Sequence, residues 1–274
     1  MVSARELAQW AQRELQSHGE NPALDAHLLL SEVTGISRTQ VLLIDDIAVD
    51  VEKIYRDFIA RRKTGEPLQY ITGRAYFRNL KLDVGPGVLI PRPESEALVS
   101  EVIDQLKRIT HPRILDLGSG SGALALSLAT EIEGARVIAL EKDQLAVKWL
   151  HRNIARIDPS VEVIEAGVSD FDGKGEFDAV IANPPYIPQG EVLPREVHNF
   201  EPHLALFCGA TGVEVPALFI EAAGRALKSG GFLAIEHHEI QGEPIDRLLA
   251  RDFTDVEVHY DLNDRPRWSS GVRK

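Results

Sequence analysis

Asn183-Pro184-Pro185-Tyr186 follows the apolar run FDAVIA at 177–182. An Asn-Pro pair is an ordinary turn signal, and a rigid surface turn is its plainest reading. Position gives it chemical meaning. FDAVIA reads as a strand ending at Asn183, and in open α/β sheets ligands lie outside the carboxyl ends of strands. An amide or exocyclic amine nitrogen is a poor nucleophile because its lone pair is delocalised. A site that methylates such a nitrogen must hold both N–H groups and turn the lone pair toward the methyl donor. The Asn183 side-chain oxygen can accept one N–H and the Pro184 carbonyl the other. Neither Pro184 nor Pro185 has an N–H to compete, and their rings fix φ near about −65°. Tyr186 offers a flat ring to stack on the amide and exclude water.

A second cluster lies upstream. RILDLGSGSGALALSLA, residues 113–129, reads as strand, glycine turn and helix. Gly118, Gly120 and Gly122 allow a sharp turn and a close approach of backbone to ligand. The next helix then offers unpaired N–H groups to an anionic or polar ligand. Asp116 sits at the end of the strand. Glu141 ends the following strand roughly 20 residues on, where an acid can accept both hydroxyls of a ribose. Gly118, Gly120 and Ala123 also satisfy the dinucleotide pattern GxGxxA, so a nicotinamide cofactor fits these residues as well. Nicotinamide chemistry gives no reason for Asn-Pro-Pro-Tyr. A sulfonium methyl donor does, because transfer to a positioned nitrogen needs proximity and alignment more than a strong base.

The elements that must carry these residues can be read from periodicity. Residues 1–73 read as a small helical bundle. Leu7, Trp10, Ala11 and Leu15 fall near helical spacing, with Gly19 after the end. Asn21 caps a second helix with Pro22 at its first position and Gly35 beyond it. SRTQVLL is a short third piece. DVEKIYRDFIARRKTG is a fourth, with Ile54, Phe58 and Ile59 on one face and Arg61-Arg62-Lys63 as a solvated end. Residues 74–90 alternate around Gly85-Pro86-Gly87 and read as a β-hairpin linker. From 91 to 274 strands alternate with helices, which argues a mostly parallel sheet covered on both faces. FLAIEHH and VEVHYDL, with no long helix after them, read as an antiparallel ending. Pro91 and Pro93 stiffen PRPESE into a helix start, with Glu94 and Glu96 at the favourable end of the dipole. A wall over the cofactor is compatible with that.

Composition narrows the function classes. The 274 residues carry a net charge of −12, which disfavours nucleic acid as a partner. The single cysteine, Cys208, cannot close an internal disulfide, which fits a reducing compartment; it reads as a buried small residue. The N-terminus is charged throughout and does not read as a signal peptide. No apolar run approaches the ~18 residues of a membrane span. A cytoplasmic protein is expected. His237 and His238 are neighbours on a strand and point to opposite faces, so no metal site is expected there.

Four runs together resemble the release factor glutamine methyltransferases, the HemK/PrmC family: GEPLQYITGRAYFRNLKLDVGPGVLIPRPESEALV (65–99), DLGSGSGALALSLA (116–129), NPPYI (183–187) and FEPHLALFCGATG (200–212). The resemblance covers nearly the whole chain. It implies a Rossmann-like, seven-stranded class I methyltransferase domain at 91–274, after a helical substrate-docking domain at 1–73 and the hairpin linker at 74–90. It also implies S-adenosyl-L-methionine as cofactor, and N5-methylation of the Gly-Gly-Gln glutamine of class 1 peptide chain release factors. By that resemblance the turn Gly118-Ser119-Gly120-Ser121-Gly122, with Asp116, holds the methionine part. Glu141 holds the ribose and Val168 packs on the adenine, with Asn183 beside the cofactor. Asn183, Pro184, Pro185 and Tyr186 hold the substrate glutamine. The family usually has Thr in place of Ser95, Asp in place of Glu141 and Gly in place of His238. Two rival substrates keep the same tetrapeptide: a glutamine of a ribosomal protein, and the exocyclic amine of a nucleic-acid base. A further rival is a binding module without transfer activity. Neither a membrane nor stable nucleic-acid binding is expected.

Overall fold

The computed structural model describes residues 2–18, 21–261 and 263–274; Gly19 lies outside them. The chain divides into two compact units. One comprises Met1–Arg74 with Leu193–Phe200, and the other Ala75–Val192 with Glu201–Lys274.

The first unit is helical. α1 (Ala4–Glu14) opens with a capping box in which Ser3 Oγ accepts from the Glu6 N–H and the Glu6 carboxylate accepts from the Ser3 N–H. Such caps contribute about 1 kcal/mol. α2 (Pro22–Thr34) is capped by the Asn21 side chain on Leu24 N–H and stopped by Gly35 at φ +68°. SRTQVLL forms only a single 3₁₀ turn, Val41–Leu43. α3 (Val49–Lys63) buries Tyr55, Ile59 and Arg62, while Ile54 is exposed. Of the expected face, Ile59 is buried and Phe58 packs against the core, and Tyr55 takes the place expected of Ile54. Tyr55 decides this, because its ring fills the core and its hydroxyl donates to the Ala26 carbonyl at 2.9 Å. The basic triplet at the end of α3 is no solvated patch. Arg62 is buried between Asp25 (2.7 Å) and Glu196 (2.8 Å), Arg61 grips Glu66 at 2.6 Å, and Lys63 meets Glu14. α4 (Leu68–Thr72) ends at Gly73.

The second unit begins with a hairpin of β1 (Arg74–Phe77) and β2 (Leu80–Asp83). A 3₁₀ turn, Pro93–Ser95, then leads into α5 (Glu96–Leu106). After it come β3 (Arg113–Leu117), α6 (Ala123–Glu131), β4 (Arg136–Leu140), α7 (Gln144–Ile157), β5 (Glu162–Ile164) and β6 (Phe177–Ala182). Two short helices follow, α8 (Arg195–Phe200), which groups with the helical unit, and α9 (His203–Leu206). The chain closes with α10 (Glu214–Ala226), β7 (Leu227–Glu236), α11 (Gly242–Leu249), β8 (Phe253–Tyr260) and β9 (Pro266–Arg273).

Seven strands form one sheet in the order β5-β4-β3-β6-β7-β9-β8. The first five in that order run parallel, and β9 runs antiparallel to both β7 and β8. The seventh strand, β9, comes from the C-terminal segment, where no strand was read, and it lies inside the sheet. Its Pro, Arg, Ser and Gly residues hide it from β propensity. Small Ser269 and Ser270 nonetheless suit a buried slot between two strands, and Trp268 is buried beside them. α11, between β7 and β8, was likewise unexpected.

Parallel register places the site. Leu117 pairs with Leu140 on one side and Ala182 on the other, and Ala182 pairs with Ile235. The chain therefore leaves β3, β4, β6 and β7 along one edge, which brings the glycine turn, Glu141, Asn183 and Glu236 side by side. Leu115, Leu117, Val180, Ala182, Leu233 and Ile235 have essentially no exposure, and each larger apolar side chain so buried contributes about 1.5–3 kcal/mol. That core fixes the edge from beneath.

Candidate active site

Along that edge of the second unit lies a cavity of about 310 Å³. Gly118, Ser119, Gly120, Ser121, Glu141, Val168, Asn183 and Pro185 are on its wall. Four other expected site residues are not: Asp116, Gly122, Pro184 and Tyr186.

Gly122 lies behind the turn. Its φ is +86°, and a Cβ there would meet Leu150 at 2.8 Å and Leu126 at 3.1 Å. Its role is to let α6 pack close. Gly120 differs, since a Cβ there would meet nothing nearer than Val88 at 3.9 Å; the space it leaves belongs to the cavity.

Asp116 is completely buried beneath the turn. One carboxylate oxygen accepts from Ala125 N–H at 3.1 Å, while the other, Oδ1, has no partner. Burial pushes its pKa up to about 7, against the hydrogen bond from Ala125 that pulls the other way. A buried carboxylate with an open acceptor is an uncommon expense in a native fold.

Glu141 is also buried, yet well served. Oε1 accepts from the N–H groups of Lys142 and Asp143, both at 2.8 Å, and Oε2 from Gly120 N–H at 2.9 Å. With about four lone-pair sites on a carboxylate, Oε1 is filled and Oε2 has one left. A grip on both hydroxyls of a ribose through two free oxygens is therefore not what this geometry offers; Oε2 is the acceptor with capacity.

Asn183 is the first residue beyond β6. Its Nδ2 donates to Ser95 Oγ at 3.1 Å, which leaves Oδ1 as the half of that amide not engaged by Ser95. Tyr186 departs from expectation. It is half-buried, and its hydroxyl donates to the buried Glu236 carboxylate at 3.0 Å, which fixes the direction of the ring. Burial first, and then the Glu236 charge, hold its pKa well above the usual range. Gln241 takes the Tyr186 carbonyl at 2.8 Å.

The turn is braced from the other quoted runs. Ile187 N–H donates to Leu206 O, Cys208 N–H to Ile187 O and Gln189 N–H to Gly209 O, so the segment after Tyr186 lies along 206–209. Glu201, buried, accepts from Ile90 N–H at 3.1 Å and from Arg92 at 2.6 Å. Arg92 and Ser95 line the cavity, in the segment that was read as compatible with a wall over the cofactor. The parts played by Glu201 and Glu236 escaped the reading of the sequence, because each acts on a partner more than 100 residues away.

A seven-stranded sheet of this order, with a glycine turn, a spaced acid and an Asn-Pro-Pro-Tyr turn on one cavity, defines a Rossmann-like methyltransferase. Among solved structures, a T. thermophilus 16S rRNA N2 G1207 methyltransferase in complex with AdoMet and guanosine shares this fold at a TM-score of 0.54 and 21% identity, over 73% of this chain and 50% of that one. Residues 6–73 match the family model for the PrmC N-terminal domain, and residues 77–201 that for the methyltransferase small domain. The release factor glutamine methyltransferase of Streptomyces coelicolor is 39% identical over 273 residues, 97% of this chain and 96% of that protein. That of Mycolicibacterium smegmatis is 39% identical over 92% of this chain and 91% of its own. The chain belongs to the release factor glutamine methyltransferase family.

Proposed function

We propose that this chain methylates the side-chain N5 of the Gly-Gly-Gln glutamine in class 1 peptide chain release factors, using S-adenosyl-L-methionine. Release factor is the substrate in the names of relatives that align with almost the whole chain. The reading of the site rests on one observation, the placement of Asn183 on the same cavity wall as the glycine turn and Glu141.

The cavity fits the cofactor by its own chemistry. It joins a glycine cradle, an acceptor at Glu141 Oε2, and apolar Val168, Ala146 and Phe219. The turn Gly118-Ser119-Gly120-Ser121 would hold the methionine part, Glu141 a ribose hydroxyl and Val168 the adenine face. Asp116 and Gly122 would act from behind, by shaping the turn. Bound there, S-adenosyl-L-methionine supplies an activated methyl group.

The chain's own residues do the rest. Asn183 Oδ1 accepts one N–H of the substrate carboxamide and the Pro184 carbonyl accepts the other. The proline rings fix the Pro184 carbonyl and Ser95 holds the Asn183 amide, so two placed acceptors aim the nitrogen at the cavity and alignment replaces basicity. Pro185 closes the wall, and Tyr186 keeps the turn in shape. Once alkylated, the nitrogen releases its proton to water. Such a protein works where release factors work, in the cytoplasm. Among the described residues no helix is long and apolar enough to cross a membrane.

The test is to incubate the protein with isotopically labelled cofactor, release factor, ribosomal proteins and tRNA, and to map the label by mass spectrometry. One methyl on the Gly-Gly-Gln glutamine is the expected outcome. Label on RNA alone, or on a ribosomal protein alone, overturns the substrate assignment.

A further inference from the structure

Behind Asn183 runs a chain of hydrogen bonds with a fixed direction. Glu236 is buried and receives two hydroxyls, Tyr186 Oη on Oε1 at 3.0 Å and Ser95 Oγ on Oε2 at 2.5 Å. A carboxylate only accepts. With Glu236 ionised, Ser95 spends its single proton on it, and what it offers Asn183 is a lone pair. The half of the Asn183 amide that meets a lone pair is the NH₂, found at 3.1 Å. Nitrogen and oxygen of an amide are interchangeable in shape, so the direction of these protons decides which is which. Burial raises the Glu236 pKa, and the hydrogen bonds from Ser95 and Tyr186 act against that rise.

We propose that Ser95 and Glu236 are positioning residues which set the polarity of Asn183, so that its side chain presents an acceptor and not a donor to the substrate carboxamide. This rests on the reading of Asn183 as the substrate clamp. The polarity matters because a carboxamide NH₂ facing another NH₂ forms no hydrogen bond and leaves two donors unpaired. A flipped Asn183 would turn the clamp into an obstacle without moving a backbone atom. One carboxylate also orders both sides of the turn, since its second oxygen holds Tyr186. The relay joins Ser95 before α5, Asn183 after β6 and Glu236 at the end of β7. It accounts for a buried acid that touches neither cavity nor solvent.

The experiment uses the full chain with Ser95→Ala, Ser95→Cys and Ser95→Thr. The first removes the hydroxyl. The second keeps nearly the same volume with a poor hydrogen-bonding atom, and serves if the first does not fold. The third keeps the hydroxyl. Two readouts are taken: steady-state methylation of release factor, and solvent exchange of the Asn183 side-chain NH₂ by ¹⁵N NMR without cofactor or substrate, assigned by its loss in Asn183→Ala. In Ser95→Ala and Ser95→Cys, kcat is expected to fall at least tenfold, KM for the cofactor to stay within threefold, and NH₂ exchange to rise at least tenfold. Ser95→Thr should restore both. Unchanged kcat, a loss confined to cofactor KM, or unchanged NH₂ exchange overturns the proposal. If the unsubstituted protein leaves release factor unmethylated while NH₂ exchange responds as stated, the substrate assignment falls and the polarity assignment stands.

Discussion

At the scale of single residues, Asp116 makes the sharpest claim about pH. Its pKa in the fold is about 7 against an ordinary 3.8, and burial is the main cause. A carboxyl whose pKa is raised by folding binds its proton more tightly in the native state. Its effect is absent below about pH 4. Stability is lost as pH rises from there to about 7, and no more is lost above. A rise of this size corresponds to about 4 kcal/mol. Thermal unfolding of the protein without cofactor, followed from pH 4 to 8, should show that decline, and Asp116→Asn should remove most of it. An equal decline in both proteins would show that Asp116 ionises as freely in the fold as out of it. The sequence marked Asp116 as the acid before a glycine turn. It held no sign that the side chain lies under the turn, since burial depends on α6 closing over it.

Elements explain why some of this was legible and some was not. Strand, glycine turn and helix at 113–129 form a local pattern, and so does FDAVIA with the turn after it. Their lateral order comes from register, which places Leu117 beside both Leu140 and Ala182. β9 was illegible because Pro266, Arg267, Ser269, Ser270 and Gly271 carry little strand propensity. Tertiary burial between β7 and β8 outweighs that. On α3 a single position was misjudged, because Ile54 looked like core and Tyr55 did not, while Phe58 and Ile59 face the core as expected. The turn before α6 gives a test at this scale. Gly122→Ala forces a side chain into positive φ and against Leu150, and should cost about 2–4 kcal/mol by chemical denaturation. Gly120→Ala meets no neighbour nearer than 3.9 Å, so it should cost about 1–2 kcal/mol while weakening cofactor binding at least tenfold. The reverse ranking would mean that the cavity is not the cofactor site.

For the molecule as a whole, the acidic balance of −12 argued against a nucleic-acid substrate, and family membership now points to a protein one. Composition alone could not choose among glutamine-bearing proteins, because the turn that holds a carboxamide is the same whichever chain carries it. The central claim is that Asn183 and Pro184 clamp the carboxamide beside a cofactor held by the glycine turn. It is tested most directly by Asn183→Ala, with release-factor methylation and cofactor affinity measured on the same preparation. The account expects kcat to fall at least a thousandfold with the cofactor Kd within threefold of the unsubstituted protein. Equal losses in both quantities, or full activity, would contradict it.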